Sequence, residues 1–384
     1  MKEYPLKKFL LVYFLLLLFS SSLLFPQSKY RFFDSAEPLS KYVRLTIFHP
    51  SEGIIRSIAE LKNNEIVTLK NLLVVAVFHE KEQYDYKKSI DFIKQNNIDW
   101  VKFHKLTKNI YSYNLFQENS LSDEFKNIFT KSDGIIFFGG ADIPPYIYNE
   151  KTNLLTSIRT PYRHFVELSF IFHLLGGFQN NDFKPFLDSA PQFAVLGICL
   201  GEQSLNVGTG GTLVQDIFSE IYGKTYLEDI ITMSRENWHR NPLAWLYPEK
   251  KLLSYSMHRI RLKENSKFVS EMGFNKEDTP FVLSSHHQMV NKLGKKFKVS
   301  ATSLDGKVIE AIEHEKYPNV LGIQFHPESS LLWDPEQTFK FTLKQKKEIS
   351  LRSILDNNPP SFAFHKKLWS WFCEKLDEYH KSKQ

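Results

Sequence analysis

The chain has 384 residues, of which 42% are hydrophobic and 24% are charged. This composition indicates a globular protein with a sizeable core and excludes a disordered chain. The formal net charge is +6, but the lysines are scattered and do not cluster as a nucleic-acid surface requires. We therefore expect no nucleic-acid partner.

The first 27 residues have the pattern of an export signal. Three lysines precede an unbroken apolar run at 9–19, and serines follow at 20–22. A signal anchor is the alternative, because residues 9–25 reach the lower limit of what spans a bilayer. Both interpretations place the folded part outside the cytoplasm, periplasmic or secreted, with anchoring to the membrane through 9–25 if the signal is not cleaved.

Residues 31–70 are predicted to form an N-terminal extension without evident chemistry. Apolar and polar residues alternate over 42–48, which predicts a half-buried strand. Ser51 then precedes an amphipathic pattern at 54–61, which predicts a short capped helix.

A different pattern begins at residue 71, where apolar runs alternate with amphipathic segments. Continuous apolar runs are typical of strands covered on both faces, and their alternation with helices predicts an α/β fold with a mostly parallel sheet. The predicted strands are 72–78, 98–103, 134–138 and 193–198, and the predicted helices are 86–95, 122–129 and 162–175. Four later runs predict a group of antiparallel strands at 257–262, 298–302, 307–313 and 320–325. Beyond 336, a helix at 362–376 is predicted in a C-terminal helical extension, residues 336–384.

Cys199 lies where a buried strand meets a helix. Residues 197–203 read Gly-Ile-Cys-Leu-Gly-Glu-Gln, and the glycines tolerate the tight turn that lifts a nucleophile clear of the backbone. The positive end of the following helix favours a thiolate. A buried structural cysteine is the alternative for this motif alone. Cys373 lies among aromatic residues and is predicted to be packing, so no disulfide is expected.

A cysteine nucleophile needs an imidazole to shuttle protons and a carboxylate to orient that imidazole. Residues 322–328 read Gly-Ile-Gln-Phe-His-Pro-Glu at the end of an apolar strand. Proline stiffens the turn, so Glu328 can reach the ring of His326. The sequence therefore predicts a Cys-His-Glu nucleophilic hydrolase.

These motifs resemble the class I glutamine amidotransferase-like superfamily, and within it the γ-glutamyl hydrolase and γ-glutamyl-γ-aminobutyrate hydrolase branch, the peptidase C26-like proteins. Further segments similar to that branch are 139–145, 206–216, 284–288 and 305–313. The resemblance covers residues 71–335, and it implies a flavodoxin-like three-layer sandwich. It also implies catalysis by Cys199, His326 and Glu328 through a thioester, on a small γ-glutamyl substrate and without a cofactor.

The resemblance further implies roles for the surrounding residues. Backbone amides of Gly140 and Leu200 would form the oxyanion hole. The residues implied to shape the substrate pocket are Asp142, Gln203, Ser285, His286, His287 and Gln288. No metal site is expected at the two adjacent histidines, because no acidic or cysteine partner lies at ligand spacing.

Two residues depart from the family pattern. Family members frequently carry the motif Arg-Asp-x-x-Glu, and His164 stands in the place of its Asp. Substrate preference is therefore expected to differ. Glu202 adds a negative charge beside the nucleophile turn, where His or Met is common, and this charge disfavours a thiolate.

Three functions remain open from the sequence. The first is an exported cysteine hydrolase (omega peptidase) of γ-glutamyl amide or isopeptide bonds. The second is a glutaminase subunit that supplies ammonia to a synthase, although no synthase domain is recognised in the chain. The third is a catalytically silent domain that binds a ligand or partner, which the intact residues Cys199, His326 and Glu328 disfavour. The leaving group, the cleavage of the signal and the oligomeric state are not determined by the sequence.

Overall fold

The structure, a computed structural model, describes residues 30–35 and 39–384. The predicted export signal, residues 1–27, lies outside the described residues. In the part of the chain that the structure describes, no helix is both long and apolar enough to cross a membrane.

Strands and helices alternate through the first half of the chain, as predicted. The strands are β1 (Val43–Phe48), β2 (Leu72–His79), β3 (Val101–Leu106), β4 (Gly134–Phe137), β5 (Ala194–Ile198), β6 (Leu213–Val214), β7 (Ser256–Leu262), β8 (Phe281–Ser284), β9 (Met289–Val290), β10 (Phe297–Ser303), β11 (Ile309–His314), β12 (Val320–Ile323), β13 (Thr338–Phe339) and β14 (Ile349–Ser350). The helices are α1 (Glu52–Asn63), α2 (Tyr86–Gln95), α3 (Ser122–Lys131), α4 (Pro161–Leu175), α5 (Leu200–Gly208), α6 (Ile217–Glu220), α7 (Leu227–Ile230), α8 (Pro242–Leu246), α9 (Lys267–Ser270), α10 (Leu351–Asp356) and α11 (Pro359–Ser382).

Ten of these strands form one central sheet in the order β3-β2-β1-β4-β5-β12-β11-β10-β7-β8. The first six in that order pair in parallel, and the remaining pairs are antiparallel. The predicted α/β class, with a parallel sheet and a later antiparallel group, is confirmed.

Helices cover both faces of the sheet and give a three-layer sandwich. Apolar residues of α1, α2 and α11 join one hydrophobic cluster, and those of α3, α4 and α5 join the cluster on the opposite face. Because both faces are covered, β1, β2, β4 and β5 are buried at every position.

The segment 31–70 is not separate from the main sheet. The strand predicted at 42–48 is confirmed as β1, which lies between β2 and β4. Its predicted half-buried character is wrong, because all six of its residues are buried. Helix α1 begins after Ser51, whose hydroxyl accepts the N–H of Ile54 at 3.4 Å, as the capping pattern predicts. The alternation in 42–48 misled because Arg44 and Thr46 are buried polar residues.

The C-terminal segment is likewise part of the sandwich. Helix α11 is longer than the predicted 362–376 and packs on β1 and β5. A Cβ on Gly134 of β4 would lie 2.3 Å from the Leu376 side chain, which shows how closely helix and sheet approach. Cys373 is buried in this helix, its pKa is raised to about 11 by burial, and both cysteines are free.

The chain reverses direction across the sheet between β1 and β4. After β1 it builds outward through β2 and β3, and it then returns to β4 on the other side of β1. Crevices outside the carboxyl ends of strands at such a reversal are the usual ligand sites of open α/β sheets. The residues that follow β1, β4, β5 and β12 therefore meet at one edge.

Candidate active site

Cys199 stands on a strained turn between β5 and α5. Its backbone has φ 55° and ψ −109°, a conformation that non-glycine residues seldom adopt outside functional sites. A Cβ on Gly201 would lie 2.0 Å from the carbonyl oxygen of Phe137, so only glycine fits there. The thiol-bearing residue is 8% exposed. The predicted tight turn from strand to helix at Cys199 is confirmed.

His326 and Glu328 form the pair that the His-Pro-Glu sequence predicts. Nδ1 of His326 lies 2.8 Å from Oε1 of Glu328, so the carboxylate occupies one ring nitrogen and leaves Nε2 to hydrogen-bond Cys199. Burial alone would lower the pKa of His326, but Glu328 and Cys199 outweigh it and raise that pKa well above its ordinary value. Both neighbours of the imidazole therefore favour its protonated form.

The loop after β4 closes over these residues. A Cβ on Gly139 would lie 3.3 Å from Cε1 of His326 and 3.6 Å from Cβ of Cys199. Gly140 comes next, and Leu200 is the first residue of α5. The amide of a first helical residue has no acceptor within its own helix. Both amides predicted to bind an oxyanion are therefore at the edge of the sheet that carries the thiol.

A cavity of about 380 Å³ opens onto Cys199. Such a volume suits a small ligand. The lining residues are Ser51, Gly53, Ile54, Ser57, Phe138, Gly139, Gly140, Cys199, Tyr255, Ser285, His326 and Glu328. Four of them come from 51–57, the segment to which the sequence analysis assigned no chemistry.

The position of Cys199 at the end of a buried strand agrees with the comparison to known families. Residues 115–328 match the family model of peptidase C26. The chain belongs to the peptidase C26 family.

Relatives of known sequence support the same family. The glutamine amidotransferase-like protein YvdE of Lactococcus lactis is 31% identical over 215 residues, 56% of this chain and 73% of that protein. A glutamine amidotransferase-like protein of Rickettsia prowazekii is 30% identical over 225 residues, 54% of this chain and 74% of its own length. Anthranilate synthase beta subunit 1 of Arabidopsis thaliana is 25% identical over 169 residues, 42% of this chain and 48% of that protein. Together these matches support a function of the hydrolase or amidotransferase type.

Strands β1 to β3, α1 and the C-terminal helix lie outside the span that matches the peptidase C26 model. They nevertheless complete the sheet and cover one of its faces.

The indole N–H groups of Trp333 and Trp369 both donate to the carbonyl of Pro327 at 3.1 Å. The C-terminal helix therefore holds the turn between His326 and Glu328, a role that no local sequence pattern indicates.

A buried charge network supports the loop after β4. Nη2 of Arg163 donates to the carbonyls of Phe138 at 3.0 Å and Gly139 at 3.1 Å. The same Nη2 lies 3.7 Å from Oε2 of Glu167. His49 lies between two carboxylates, with Nε2 3.1 Å from Glu167 and Nδ1 2.7 Å from Glu82. Burial by itself would raise the pKa of Glu167, but Arg163 and His49 lower it to about 2. The network fixes the loop by charge-assisted hydrogen bonds.

His164, the departure from the family pattern, takes no part in that network. Its two ring nitrogens make no hydrogen bond, and burial, with the charge of Arg163, lowers its pKa to about 3. The side chain is 0% exposed and does not line the cavity. Any effect of this residue on the substrate would therefore act through the neighbouring Arg163.

Glu202, which was expected to add a negative charge beside the nucleophile turn, is buried. The side chain is 0% exposed, and neither carboxylate oxygen has a hydrogen-bond partner. Burial first, and then the charges of Glu310 and Cys199, raise its pKa well above the ordinary value. A raised pKa opposes ionisation of this carboxyl group and so acts against the repulsion that was predicted to disfavour the thiolate.

Six residues were predicted to shape the substrate pocket. Ser285 lines this cavity, and the other five do not appear in its lining. Nε2 of Gln203 donates to Oε1 of Gln324 at 3.0 Å and to the backbone carbonyl of Gln288 at 3.3 Å, so this amide stabilises the protein interior. The side-chain atoms of Gln288 are buried without a hydrogen-bond partner. His286 is buried and turned away from the cavity, as described below.

Asp142 and His287 bind each other behind the cavity. Nε2 of His287 lies 3.1 Å from both carboxylate oxygens of Asp142, and Nδ1 lies 3.4 Å from Asp216. Asp142 also accepts the N–H of Ser157 at 2.6 Å. Burial alone would lower the pKa of His287, but the two aspartates raise it. The pair links the loop after β4 to the segment after β8.

Tyr255 is a cavity residue that the sequence analysis missed. Its ring centroid lies 5.8 Å from that of His326, at an interplanar angle of 82°, an edge-to-face contact that limits rotation of the imidazole. No local pattern marks it, because it precedes β7 and reaches the site only through the pairing of β7 with β8 and β10.

Proposed function

We propose that the protein is an exported thiol hydrolase that cleaves γ-glutamyl amide or isopeptide bonds of small substrates. The observation that carries the proposal is the convergence of Cys199, the His326–Glu328 pair and the Gly139–Gly140 loop on one cavity. A nucleophile, a general acid–base and an oxyanion site are the groups that acyl transfer requires.

The reaction proceeds in two halves. Sγ of Cys199 attacks the γ-carbonyl carbon, and the carbonyl oxygen gains negative charge that the amides of Gly140 and Leu200 stabilise. Collapse of this intermediate breaks the C–N bond, and the leaving amine takes the proton of His326. Water then attacks the thioester carbonyl carbon while His326 accepts its proton. Collapse of this second intermediate breaks the C–S bond, which regenerates the thiolate of Cys199 beside protonated His326 and releases the γ-carboxylic acid, which loses its proton to solvent. Glu328 fixes the ring throughout.

The entrance to the cavity supports a substrate with a carboxylate. The first turn of α1 lines the cavity through Gly53 and Ile54, and the N-terminal end of a helix carries partial positive charge. Because Ser51 already caps the amide of Ile54, the attraction to an anion would come from the helix dipole. Glu52 in that turn is paired with Arg56 at 2.7 Å, which reduces its repulsion of an anion. A γ-glutamyl group carries an α-carboxylate that this end of the helix would favour.

The export part of the proposal rests on the sequence pattern of residues 1–27. Cell fractionation tests it: the protein should be found outside the cytoplasm, and retention in the cytoplasm would contradict it. Membrane association that is lost on removal of 9–25 would distinguish an anchor from a cleaved signal.

A covalent label tests the substrate class. The full-length chain is treated with a γ-glutamyl-mimicking diazoketone, and the intact mass is measured for wild type, Cys199→Ala and Cys373→Ala. We expect one adduct on wild type and on Cys373→Ala, and none on Cys199→Ala. The second cysteine is the matched control, because it is buried in α11 away from the cavity.

Two other outcomes would reject the proposal in different ways. If a generic thiol reagent modifies Cys199 and the diazoketone does not, the pocket does not accept γ-glutamyl groups. If neither reagent reacts, the thiol is not activated, and a ligand-binding domain without catalysis becomes the better interpretation.

A further inference from the structure

Four buried side chains meet beside the active site without contributing to the proposed reaction. They are His239, His258, His286 and Glu310, and the ring nitrogens and carboxylate oxygens that they offer all lie within 4.8 Å of one another. Each residue is at most 3% exposed. They come from four separate segments: the stretch before α8, strand β7, the segment after β8, and strand β11.

Hydrogen bonds to backbone carbonyls orient two of the rings. Nδ1 of His286 lies 2.9 Å from the carbonyl oxygen of Gln288, and Nδ1 of His258 lies 3.3 Å from that of Arg259. A carbonyl oxygen only accepts, so each ring carries its proton on Nδ1 and presents the lone pair of Nε2 to the centre of the cluster. This is the arrangement by which proteins hold imidazoles that ligate metals.

The inward-facing atoms have no hydrogen-bond partner. Nε2 of His258 lies 3.6 Å and Nε2 of His286 lies 3.8 Å from the carboxylate oxygens of Glu310. Nδ1 of His239 is 3.0 Å from that carboxylate, yet neither nitrogen of this ring makes a hydrogen bond of acceptable geometry. Both oxygens of Glu310 are also unpartnered. Buried polar groups left without a partner are destabilising, so such clusters are rare without a further group that binds them.

A proton does not satisfy this cluster. One proton on Glu310 can be donated to one ring, and it leaves the inward-facing lone pairs of the other rings without a donor among the four side chains. A cation at the centre would satisfy every inward-facing atom at once. Three imidazole nitrogens and one carboxylate oxygen are ligands that suit zinc, and four protein ligands without an open position are typical of a structural site.

We propose that His239, His258, His286 and Glu310 bind one divalent transition-metal ion, with zinc the best match, and that the ion has a structural role. The site joins β7 to β11 and to the segment after β8. His286 follows Ser285, which lines the active-site cavity, and its N–H donates to the carbonyl of His239 at 3.0 Å. The ion would therefore hold one wall of the active-site cavity while staying out of the reaction.

This proposal does not depend on the γ-glutamyl activity, and it corrects the expectation that the adjacent histidines bind no metal. That expectation considered ligands near positions 286 and 287 in the sequence. The partners that the fold supplies come from distant positions, and His287 faces Asp142 and Asp216 instead.

Metal analysis of the purified full-length chain tests the proposal. The protein is prepared without chelators, dialysed, and measured by inductively coupled plasma mass spectrometry. We expect about one metal ion per chain, a lower melting temperature after treatment with a strong chelator, and recovery of both when zinc alone is added back. The variants His258→Gln and Glu310→Gln should reduce the metal content at least about tenfold.

His287→Gln is the matched control, because it removes a neighbouring imidazole of the same segment and should keep the metal. Metal below about a tenth of an ion per chain after reconstitution with zinc would overturn the proposal. Metal retained unchanged in both ligand variants would overturn it as well, since the ion would then be adventitious.

Cobalt(II) substitution keeps the test decisive if the ligand variants do not fold. Wild type reconstituted with cobalt(II) should show the strong visible absorption of a tetrahedral site with nitrogen and oxygen ligands. A weak octahedral spectrum, which most loosely bound cobalt gives, would contradict the proposed coordination.

Discussion

Replacing Gly140 with alanine tests how the loop after β4 serves catalysis. The added Cβ would lie 1.9 Å from Nη1 and 2.6 Å from Cζ of Arg163, so either the guanidinium or the loop must move. Arg163 is 2% exposed and donates to the carbonyls of Phe138 and Gly139. The guanidinium therefore has little room to retreat.

The two ways of relieving the clash have different magnitudes and observables. If the loop moves, one oxyanion donor is misplaced, and kcat falls by about 10²–10³, equivalent to about 2.7–4 kcal/mol. If Arg163 moves instead, two charge-assisted hydrogen bonds are lost, and the free energy of unfolding falls by roughly 3–6 kcal/mol at about 1.5–3 kcal/mol each. We expect the first effect to dominate, because the guanidinium is held on several sides.

The assay is the steady-state hydrolysis of a chromogenic γ-glutamyl amide, measured together with chemical denaturation. Gly53→Ala is the matched control, since its Cβ would meet nothing within 4 Å although the residue lines the same cavity. The control should keep kcat within about threefold. A Gly140→Ala variant with both wild-type kcat and wild-type stability would refute the assignment of this loop as an oxyanion site supported by Arg163.

Three further predictions follow from the same geometry. Glu328→Gln should lower kcat by about 100-fold or more. It should also move the alkaline limb of the kcat/KM profile to lower pH, because Glu328 raises the pKa of His326. An alkaline limb that stays in place would contradict the orienting role of Glu328. Trp369→Phe removes one donor to the turn between His326 and Glu328. It should lower kcat, and it should also lower the free energy of unfolding by about 1 kcal/mol. Trp371→Phe is the control, because its indole donates to Glu271 outside the site, and it should lower stability alone. Gly53→Leu should raise KM at least about tenfold by filling the cavity, and an unchanged KM would place the substrate elsewhere.

Local features of the site were predictable because they depend on neighbours in sequence. Cys199 between two glycines requires a tight turn after a strand, and its observed backbone has the expected strain. His326 and Glu328 are two residues apart across a proline, so their contact is nearly a local property. Continuous apolar runs likewise gave the buried parallel strands, since a strand covered on both faces cannot alternate.

Features that depend on distant contacts were not predictable in the same way. The polar residues Arg44 and Thr46 made β1 resemble a half-buried strand, and its central position depends on pairing with β2 and β4. The C-terminal helix was expected to be an extension, yet Trp369 reaches the turn after β12. The local sequence pattern does not indicate either arrangement, because both depend on contacts between distant segments.

The sequence by itself indicated the chemistry that we propose for this protein, and the tertiary structure decided the surroundings of the residues concerned. The nucleophile, its base and the class of fold follow from short motifs and from hydrophobic periodicity, which act over a few residues. The cavity wall formed by 51–57, the support of the catalytic turn, and the cluster of His239, His258, His286 and Glu310 require segments far apart in the chain to meet. Because only strand order and packing bring those segments together, their side chains acquire a shared function in the folded state alone.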